Sequence, residues 1–228
     1  MLHSGILGGM AHFVRRRRPR LKAAFRRLPH DQHPVALLLT CSDSRIVSSL
    51  LLGTHPGDLF EVRTVGNLIA PAGAGGDASD GDASEAAAIE YALLALNVGH
   101  IMVLGHSGCG AMKAVLKQSV PAGAHNLERW VVHAHPARER LERAAFIDRG
   151  LPPEDRLSQV NVLQQLDHIR SYALVAERLG RGEVELHGGW FDVERADLHA
   201  YSVAEGRFIH VDERVVARAL AQGAATSS

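Results

Sequence analysis

The chain has 228 residues, 46% of them hydrophobic, which is enough for one sizeable α/β domain with its own core. Its 25 basic and 25 acidic residues give a formal net charge of zero, which excludes a global positive field that would recruit nucleic acid. No apolar stretch approaches the roughly 20 residues that span a bilayer, which disfavours a membrane-spanning protein.

The N-terminal segment, residues 1–30, is predicted to be a helical arm with a strongly basic side. Four consecutive arginines begin at Arg15, and we interpret them as the solvated face of this helix instead of a membrane or RNA contact. The arginine run follows the short apolar start, the reverse of the order in a signal peptide, so we expect a cytoplasmic protein with reduced cysteines. Residues 31–228 are predicted to form the remaining, single domain.

Short apolar runs after the arm predict the strands of a parallel sheet. Residues 35–39 and 101–104 are bounded by proline, glycine or polar residues, which is typical of strands buried on both faces. An extended piece near 59–63 and a helix over 84–96 lie between them. This alternation predicts an α/β fold with a central, mostly parallel sheet flanked by helices.

The rest of the chain is predicted to be helical first and extended later. Residues 72–83, almost entirely Gly, Ala, Asp and Ser, are interpreted as a mobile surface loop. A helical region over 126–180, broken at its prolines, is expected to have Gly180 as its C-cap. A terminal helix should begin at Asp212. Three extended pieces predict a final strand or hairpin before it: 184–191, 198–203 and 207–211.

Two short motifs carry the chain's only cysteines, Cys41 and Cys109, and the second motif also contains His106. Cys41 and His106 each follow a buried strand, so both are expected at the carboxyl edge of one sheet, where open α/β folds build their sites. Two thiolates and one imidazole leave a tetrahedral zinc one ligand short, and a catalytic zinc needs such an open position. A disulfide or two inert core thiols are the alternative.

An ordered series of motifs extends from about residue 32 to residue 210: CSDSR at 41–45, PGDLF at 56–60, RTVGN at 63–67, IEYA at 89–92, GHSGCGAMKA at 105–114, NV at 161–162 and LHG at 186–188. This series resembles the β-class carbonic anhydrases. The resemblance implies their fold and a zinc enzyme that reversibly hydrates carbon dioxide to bicarbonate and a proton. It also implies one Zn²⁺ per subunit, bound by Cys41, His106 and Cys109, with a bound hydroxide that attacks carbon dioxide.

Asp43 and Arg45 resemble the catalytic dyad of this family. The donor fork of the arginine can hold the carboxylate and lower its pKa, so that it stays ionised and accepts a hydrogen bond from zinc-bound water. Leu38 and Phe191 stand where family members with a closed, bicarbonate-inhibited form carry tryptophan and tyrosine. The resemblance is therefore to the open-site subtype, in which Asp43 does not occupy the fourth zinc position.

The same resemblance implies five residues that bind substrate or line its pocket: Gln32, Phe60, Val65, Tyr91 and Gly110. Gln32 would hydrogen-bond substrate or bicarbonate, and the N–H of Gly110, at a helix start, could face an anion. In the family Gln32 and Tyr91 can face the partner subunit's site, which implies a homodimer or a dimer of dimers. Thr64 replaces the usual asparagine, which leaves the hydrogen bonding of its loop open.

Two other functions remain open from the sequence. A hydrolase of carbon disulfide or carbonyl sulfide would keep the same ligands and dyad, whereas a non-catalytic, zinc-stabilised binding module would not need Asp43, Arg45 and Gln32 together. The chain also resembles anhydrase domains fused to bacterial anion transporters, but it contains no transporter segment to support a membrane association. Of its 14 histidines only His106 is given a role by its motif, and the others are interpreted as surface or capping residues.

Hydration activity is predicted to rise into the alkaline range. Two thiolates formally cancel the charge of the zinc, so its bound water should be less acidic than that of a three-histidine site, whose pKa is about 7. Stopped-flow measurement of kcat/KM from acid to alkaline pH, with zinc content checked at each pH, tests this expectation. A flat profile would contradict it.

Overall fold

The structure of the chain is a computed structural model, and its centre is one six-stranded sheet. The structure describes residues 2–28, 30–76, 83–144 and 147–226, with only the backbone described for residues 222–226. The strands are β1 (Ala36–Cys41), β2 (Leu59–Thr64), β3 (His100–His106), β4 (Glu185–Asp192), β5 (Asp197–Ser202) and β6 (Arg207–His210). Their order is β2-β1-β3-β4-β5-β6, with parallel pairing as far as β4 and antiparallel pairing beyond it. The predicted α/β fold with a mostly parallel sheet is confirmed.

Helices precede the sheet, connect its strands and follow it: α1 (Ser4–His12), α2 (Arg18–Phe25), α3 (Ser48–Leu51), α4 (Ser84–Glu90), α5 (Gly110–Lys117), α6 (His125–Val131), α7 (His135–Leu141), α8 (Pro153–Arg170), α9 (Ala173–Gly180) and α10 (Glu213–Thr226). The longest of these, α8, begins at a proline, whose fixed φ suits the first turn of a helix. Among the residues described, none of the helices combines the length and apolar character needed to cross a bilayer.

Helix α8 covers one face of the sheet and forms the larger core with it. Leu39 and Val103 of the strands belong to the same buried cluster as Val162 and Leu166 of α8. The contact is close at Gly105, because a Cβ there would lie 2.7 Å from Cγ2 of Val162. Helix α8 therefore packs directly on the carboxyl half of β3, the strand that ends at His106.

The N-terminal arm contains helices, as predicted, but none of the side chains of α1 and α2 is buried. Neither α1 nor α2 has a buried residue, and Phe13, Val14 and Phe25 on its apolar side are exposed. The division between residues 1–30 and 31–228 stays a prediction.

Two details differ from the sequence predictions. The left-handed residue after α9 is Gly182 (φ +68°) instead of Gly180, because Arg181 still has helical backbone angles. The described part of the loop over 72–83 is attached to the α8–α9 connection: the N–H of Ala72 donates to Oγ of Ser171, and the carbonyl oxygen of Gly76 accepts from the start of α9. Residues 77–82 of that predicted mobile loop lie outside the described residues.

Gly66, directly after β2, has a conformation and a neighbour that both require glycine. Its φ is +75°, and a Cβ there would lie 2.7 Å from the Cβ of Ala111. We expect Gly66→Ala to lower the free energy of unfolding by roughly 3 kcal/mol, since a steric clash adds to left-handed strain. Denaturant unfolding measures this loss. Gly53→Ala is the matched control, because Gly53 has φ +63° but open space at its Cβ position; equal losses in the two variants would contradict the clash.

Candidate metal centre

Three potential metal ligands lie together at the carboxyl edge of the sheet. Cys41 is the last residue of β1, His106 is the last residue of β3, and Cys109 directly precedes α5. Because β1 and β3 are adjacent and parallel, their carboxyl ends meet at one edge. All three side chains are buried, and their ligand atoms lie within 4.8 Å of one another. Both cysteines are free, so their thiols are available to an ion.

The surroundings of His106 fit a metal ligand. Its Nδ1 lies 2.9 Å from the carbonyl oxygen of Ser107, which assigns the ring proton to Nδ1 and leaves a lone pair on Nε2. That Nε2 is buried and has no hydrogen-bond partner among the described residues. A buried nitrogen without a partner is unfavourable, and coordination to a metal would remove the penalty. Two sulfur donors and one imidazole nitrogen match the ligand preference of zinc.

The two thiols interact strongly with each other. A hydrogen bond from the Cys109 thiol lowers the pKa of Cys41 to about 4, with a further contribution from His106. The same contact, followed by burial, raises the pKa of Cys109, because a second negative charge would lie beside the first. A divalent cation bound to both sulfurs would resolve this conflict, since it would stabilise both thiolates at once.

Helix α8 and the β4–β5 turn hold the segment that carries His106 and Cys109. The N–H of Gly108 donates to Oδ1 of Asp155 (2.6 Å), and Oγ of Ser158 donates to the carbonyl oxygen of His106 (2.8 Å). Oγ of Ser107 accepts from a backbone N–H in the turn after β4 (2.8 Å). The sequence analysis missed Asp155 and Ser158, because they lie 47 and 52 residues from their partners and no spacing connects them.

Asp43 and Arg45 form a two-pronged ion pair beside the three ligands. Nε of Arg45 donates to Oδ1 of Asp43 (2.9 Å) and Nη2 donates to Oδ2 (2.7 Å), while the backbone N–H of Arg45 also donates to Oδ1 (2.9 Å). These hydrogen bonds hold the pKa of Asp43 well below its usual range, although partial burial acts in the opposite direction. Oδ2 lies 3.8 Å from Nε2 of His106. An ionised carboxylate therefore faces the ligand cluster.

Several hydrogen bonds hold the loop after β2 with threonine at position 64, although the buried Nδ2 of Asn67 has no partner among the described residues. Oγ1 of Thr64 donates to the carbonyl oxygen of Leu68 (2.8 Å). The carbonyl oxygen of Gly66 accepts from Nδ2 of Asn161 (3.1 Å), and Nε2 of Gln165 donates to Oδ1 of the same asparagine. Arg63, near the end of β2, reaches the dyad, where its Nη2 donates to the backbone carbonyl oxygen of Asp43 (3.0 Å).

The five predicted substrate-binding residues are mostly open to solvent in the single chain. Phe60 is half-buried and contacts Tyr91, with ring centroids 5.7 Å apart. Tyr91 is 48% exposed and Val65 is 45% exposed. Gln32, on the segment before β1, and Gly110, the first residue of α5, are exposed as well. The structure therefore brings Phe60 and Tyr91 together.

Leu38 and Phe191, the two positions that suggest an open site, lie in one apolar cluster. Both are buried, and they share this cluster with Ile46 and Leu104. Neither side chain has a hydrogen-bond donor, so they provide no side-chain N–H or O–H for an anion on this face of the sheet.

Comparisons with known proteins agree with this geometry. The carbonic anhydrase family profile matches residues 36–198. A carbonic anhydrase of Synechocystis sp. is 35% identical to the chain, and the match covers 84% of this chain and 68% of the relative. A carbonic anhydrase of Pseudomonas aeruginosa is also 35% identical, and the match covers 94% of both chains. The solved structure of the β-carbonic anhydrase CcaA superposes with a TM-score of 0.80 at 33% identity and 92% coverage of both chains. A tetrameric β-carbonic anhydrase of Sordaria macrospora superposes with a TM-score of 0.71 at 26% identity, covering 86% of this chain and 94% of that one. The chain belongs to the β-class carbonic anhydrases.

Proposed function

We propose that this carbonic anhydrase hydrates carbon dioxide reversibly to bicarbonate and a proton, with one zinc ion bound by Cys41, His106 and Cys109. The observation that carries the metal assignment is the buried Nε2 of His106, which lacks a partner among the described residues and lies beside two free thiols. When bound there, zinc supplies an acidified water molecule as the nucleophile.

Asp43 is proposed to orient this nucleophile. Arg45 fixes the carboxylate through both of its oxygens, so its position near Nε2 of His106 is set before substrate arrives. Because the pKa of Asp43 lies well below its usual range, the carboxylate accepts a hydrogen bond at neutral pH but does not keep the proton that the reaction releases. That proton leaves by another group or by solvent.

The site is proposed to stay open toward substrate at neutral pH. For Asp43 to become a ligand, it would have to break the hydrogen bonds from the Nε, Nη2 and backbone N–H of Arg45. The cluster around Leu38 and Phe191 offers no side-chain donor that could hold a bicarbonate ion and favour such a rearrangement.

A homodimer or dimer of dimers is proposed as the catalytic unit. Gln32 and Tyr91 are exposed in the single chain, so a second copy could receive them and complete its own pocket. The Sordaria macrospora relatives are described as tetrameric. Sedimentation under assay conditions tests the assembly, and a fully active monomer would contradict it.

Free cysteines suit a reducing compartment, and we propose that the protein is located in the cytoplasm.

Stopped-flow hydration of carbon dioxide, combined with zinc analysis of the same sample, tests the proposed function. We expect one zinc per chain and rapid hydration. Parallel assays with carbon disulfide and carbonyl sulfide separate the hydrolase alternative, which the comparisons do not support. Protein with a full complement of zinc but without carbon dioxide hydration would defeat the proposal.

A further inference from the structure

A second group of potential metal ligands lies at the amino ends of β3 and β4, opposite to the end of the sheet that carries the candidate metal centre. His100 is the first residue of β3 and is the register partner of Glu185, the first residue of β4, while His187 follows two residues later. Register partners and residues two apart on a strand share one face, so all three side chains project from the same side. His106 follows His100 by six positions along β3, which corresponds to roughly 20 Å of strand. The group is therefore remote from the candidate zinc centre.

The distances within this group suit a shared ion. One ligand atom from each of the three residues lies within 4.8 Å of the others. Nδ1 of His100 is 3.1 Å from Nε2 of His187, and two nitrogens bound to one ion at about 2.1 Å would be about 3.0–3.4 Å apart for angles between about 90° and 109°. Oε2 of Glu185 is 3.7 Å from Nε2 of His187. The side chain of Glu185 is 69% exposed, so the carboxylate is free to move closer.

Charge and access also favour a cation. The side chain of His187 is 45% exposed, so an ion can arrive from solvent without any opening of the fold. Burial of its ring, followed by the nearby His100, lowers the pKa of His187, which favours the unprotonated ring that a metal ligand requires. The carboxylate of Glu185 adds a negative charge to the group, which favours a divalent cation.

We propose that His100, Glu185 and His187 form a second metal site, which binds divalent ions such as Zn²⁺, Ni²⁺ and Cu²⁺. Imidazole ligands favour Zn²⁺, Ni²⁺ and Cu²⁺, whereas Mg²⁺ and Ca²⁺ prefer all-oxygen sites. One of the two rings donates the hydrogen bond that now joins His100 and His187. When the ion binds, this ring changes tautomer and carries its proton on the other nitrogen, so that both rings bind the ion in neutral form. Water fills the remaining coordination positions. The bound ion joins the first residues of β3 and β4.

Equilibrium dialysis of the zinc-loaded enzyme against Zn²⁺, and separately against Ni²⁺, tests this site. We expect uptake of one ion per chain beyond the first zinc, no corresponding uptake of Mg²⁺, and affinity at least about tenfold weaker in His100→Asn and in His187→Asn. His210→Asn is the matched control, because that exposed imidazole lies 3.4 Å from a single carboxylate of Asp197 and outside the group. Absence of the additional ion in wild type, or equal loss in all three variants, would overturn the proposal.

Two further measurements separate a folding defect from loss of the site. Zn²⁺ should raise the Tm of the zinc-loaded wild type and of His210→Asn, because the ion binds only the folded state, but not the Tm of the other two variants. Their carbon dioxide hydration should remain within about twofold of wild type, since His100 and His187 lie roughly 20 Å and roughly 13 Å from His106 along the strands. An enzyme that hydrates carbon dioxide but takes up no additional ion would defeat this inference alone and leave the proposed function intact.

Discussion

His106→Asn is expected to lose both bound zinc and carbon dioxide hydration, with kcat/KM falling by at least about a thousandfold. The shorter amide cannot place a lone pair where the buried Nε2 now lies. Cys41 and Cys109 would remain as a thiol pair with only two ligands, too few for a stable zinc centre. Stopped-flow assays and zinc analysis of the purified variant measure the two losses.

His168→Asn is the matched control for this experiment. His168 is also buried and also uses its Nδ1 for a backbone carbonyl, that of Ile69 (2.8 Å), but it lies away from the metal ligands. We expect this variant to be less stable and yet to retain one zinc per chain. Retention of zinc by His106→Asn would reject the ligand assignment, and equal zinc loss in both variants would attribute the effect to unfolding.

Asp43→Asn is expected to retain zinc but to lower kcat/KM by about 10²–10³. The amide loses the negative charge that accepts the hydrogen bond of the nucleophile, and it leaves the guanidinium of Arg45 without its carboxylate. Stopped-flow assays over a range of pH measure the effect. Because the pKa of Asp43 is already far below neutrality, its own titration does not set the pH at which activity rises.

The stability of Asp43→Asn provides an independent check of the carboxylate's ionisation. A depressed pKa means that the wild-type carboxylate stabilises the fold above the unfolded pKa of about 3.9 and loses this contribution as the pH falls. The difference in stability between wild type and variant should therefore be present at neutral pH and shrink in acid.

Asp167→Asn is the matched control for the dyad. Asp167 is bound by two arginines, Arg140 (2.7 Å) and Arg170 (2.8 Å), on exposed helix surfaces away from the ligands. Its replacement should leave zinc content and kcat/KM within about threefold of wild type, because exposed ion pairs contribute little. A comparable loss of activity in both variants would argue against a specific role for Asp43.

Local patterns predicted the sheet well, because the apolar runs that become β1 and β3 end at the polar residues that follow them. The neighbours of Cys41 and His106 likewise predicted, from short motifs, the three potential metal ligands that the structure brings together. Residues that act through distant contacts were not predictable. Asp155 supports the ligand segment only because α8 packs across the sheet, and its position in the sequence carries no trace of that contact.

The same limitation applies to His100 and His187, which the sequence analysis interpreted as surface residues. They are 87 residues apart, and only the register between β3 and β4 brings their rings together. Residues 72–76 show a related error, since their small side chains suggested a mobile loop. Backbone hydrogen bonds, which composition does not reveal, attach this segment to the α8–α9 connection.

The position of α8 leads us to expect a definite order of folding and metal loading. The same helix packs on β3 at Gly105 and bonds the ligand segment through Asp155 and Ser158. We therefore expect the three candidate ligands to reach their final spacing only after α8 has docked. Zinc loading should consequently be the last step of maturation, with the ion captured by an assembled fold instead of nucleating it.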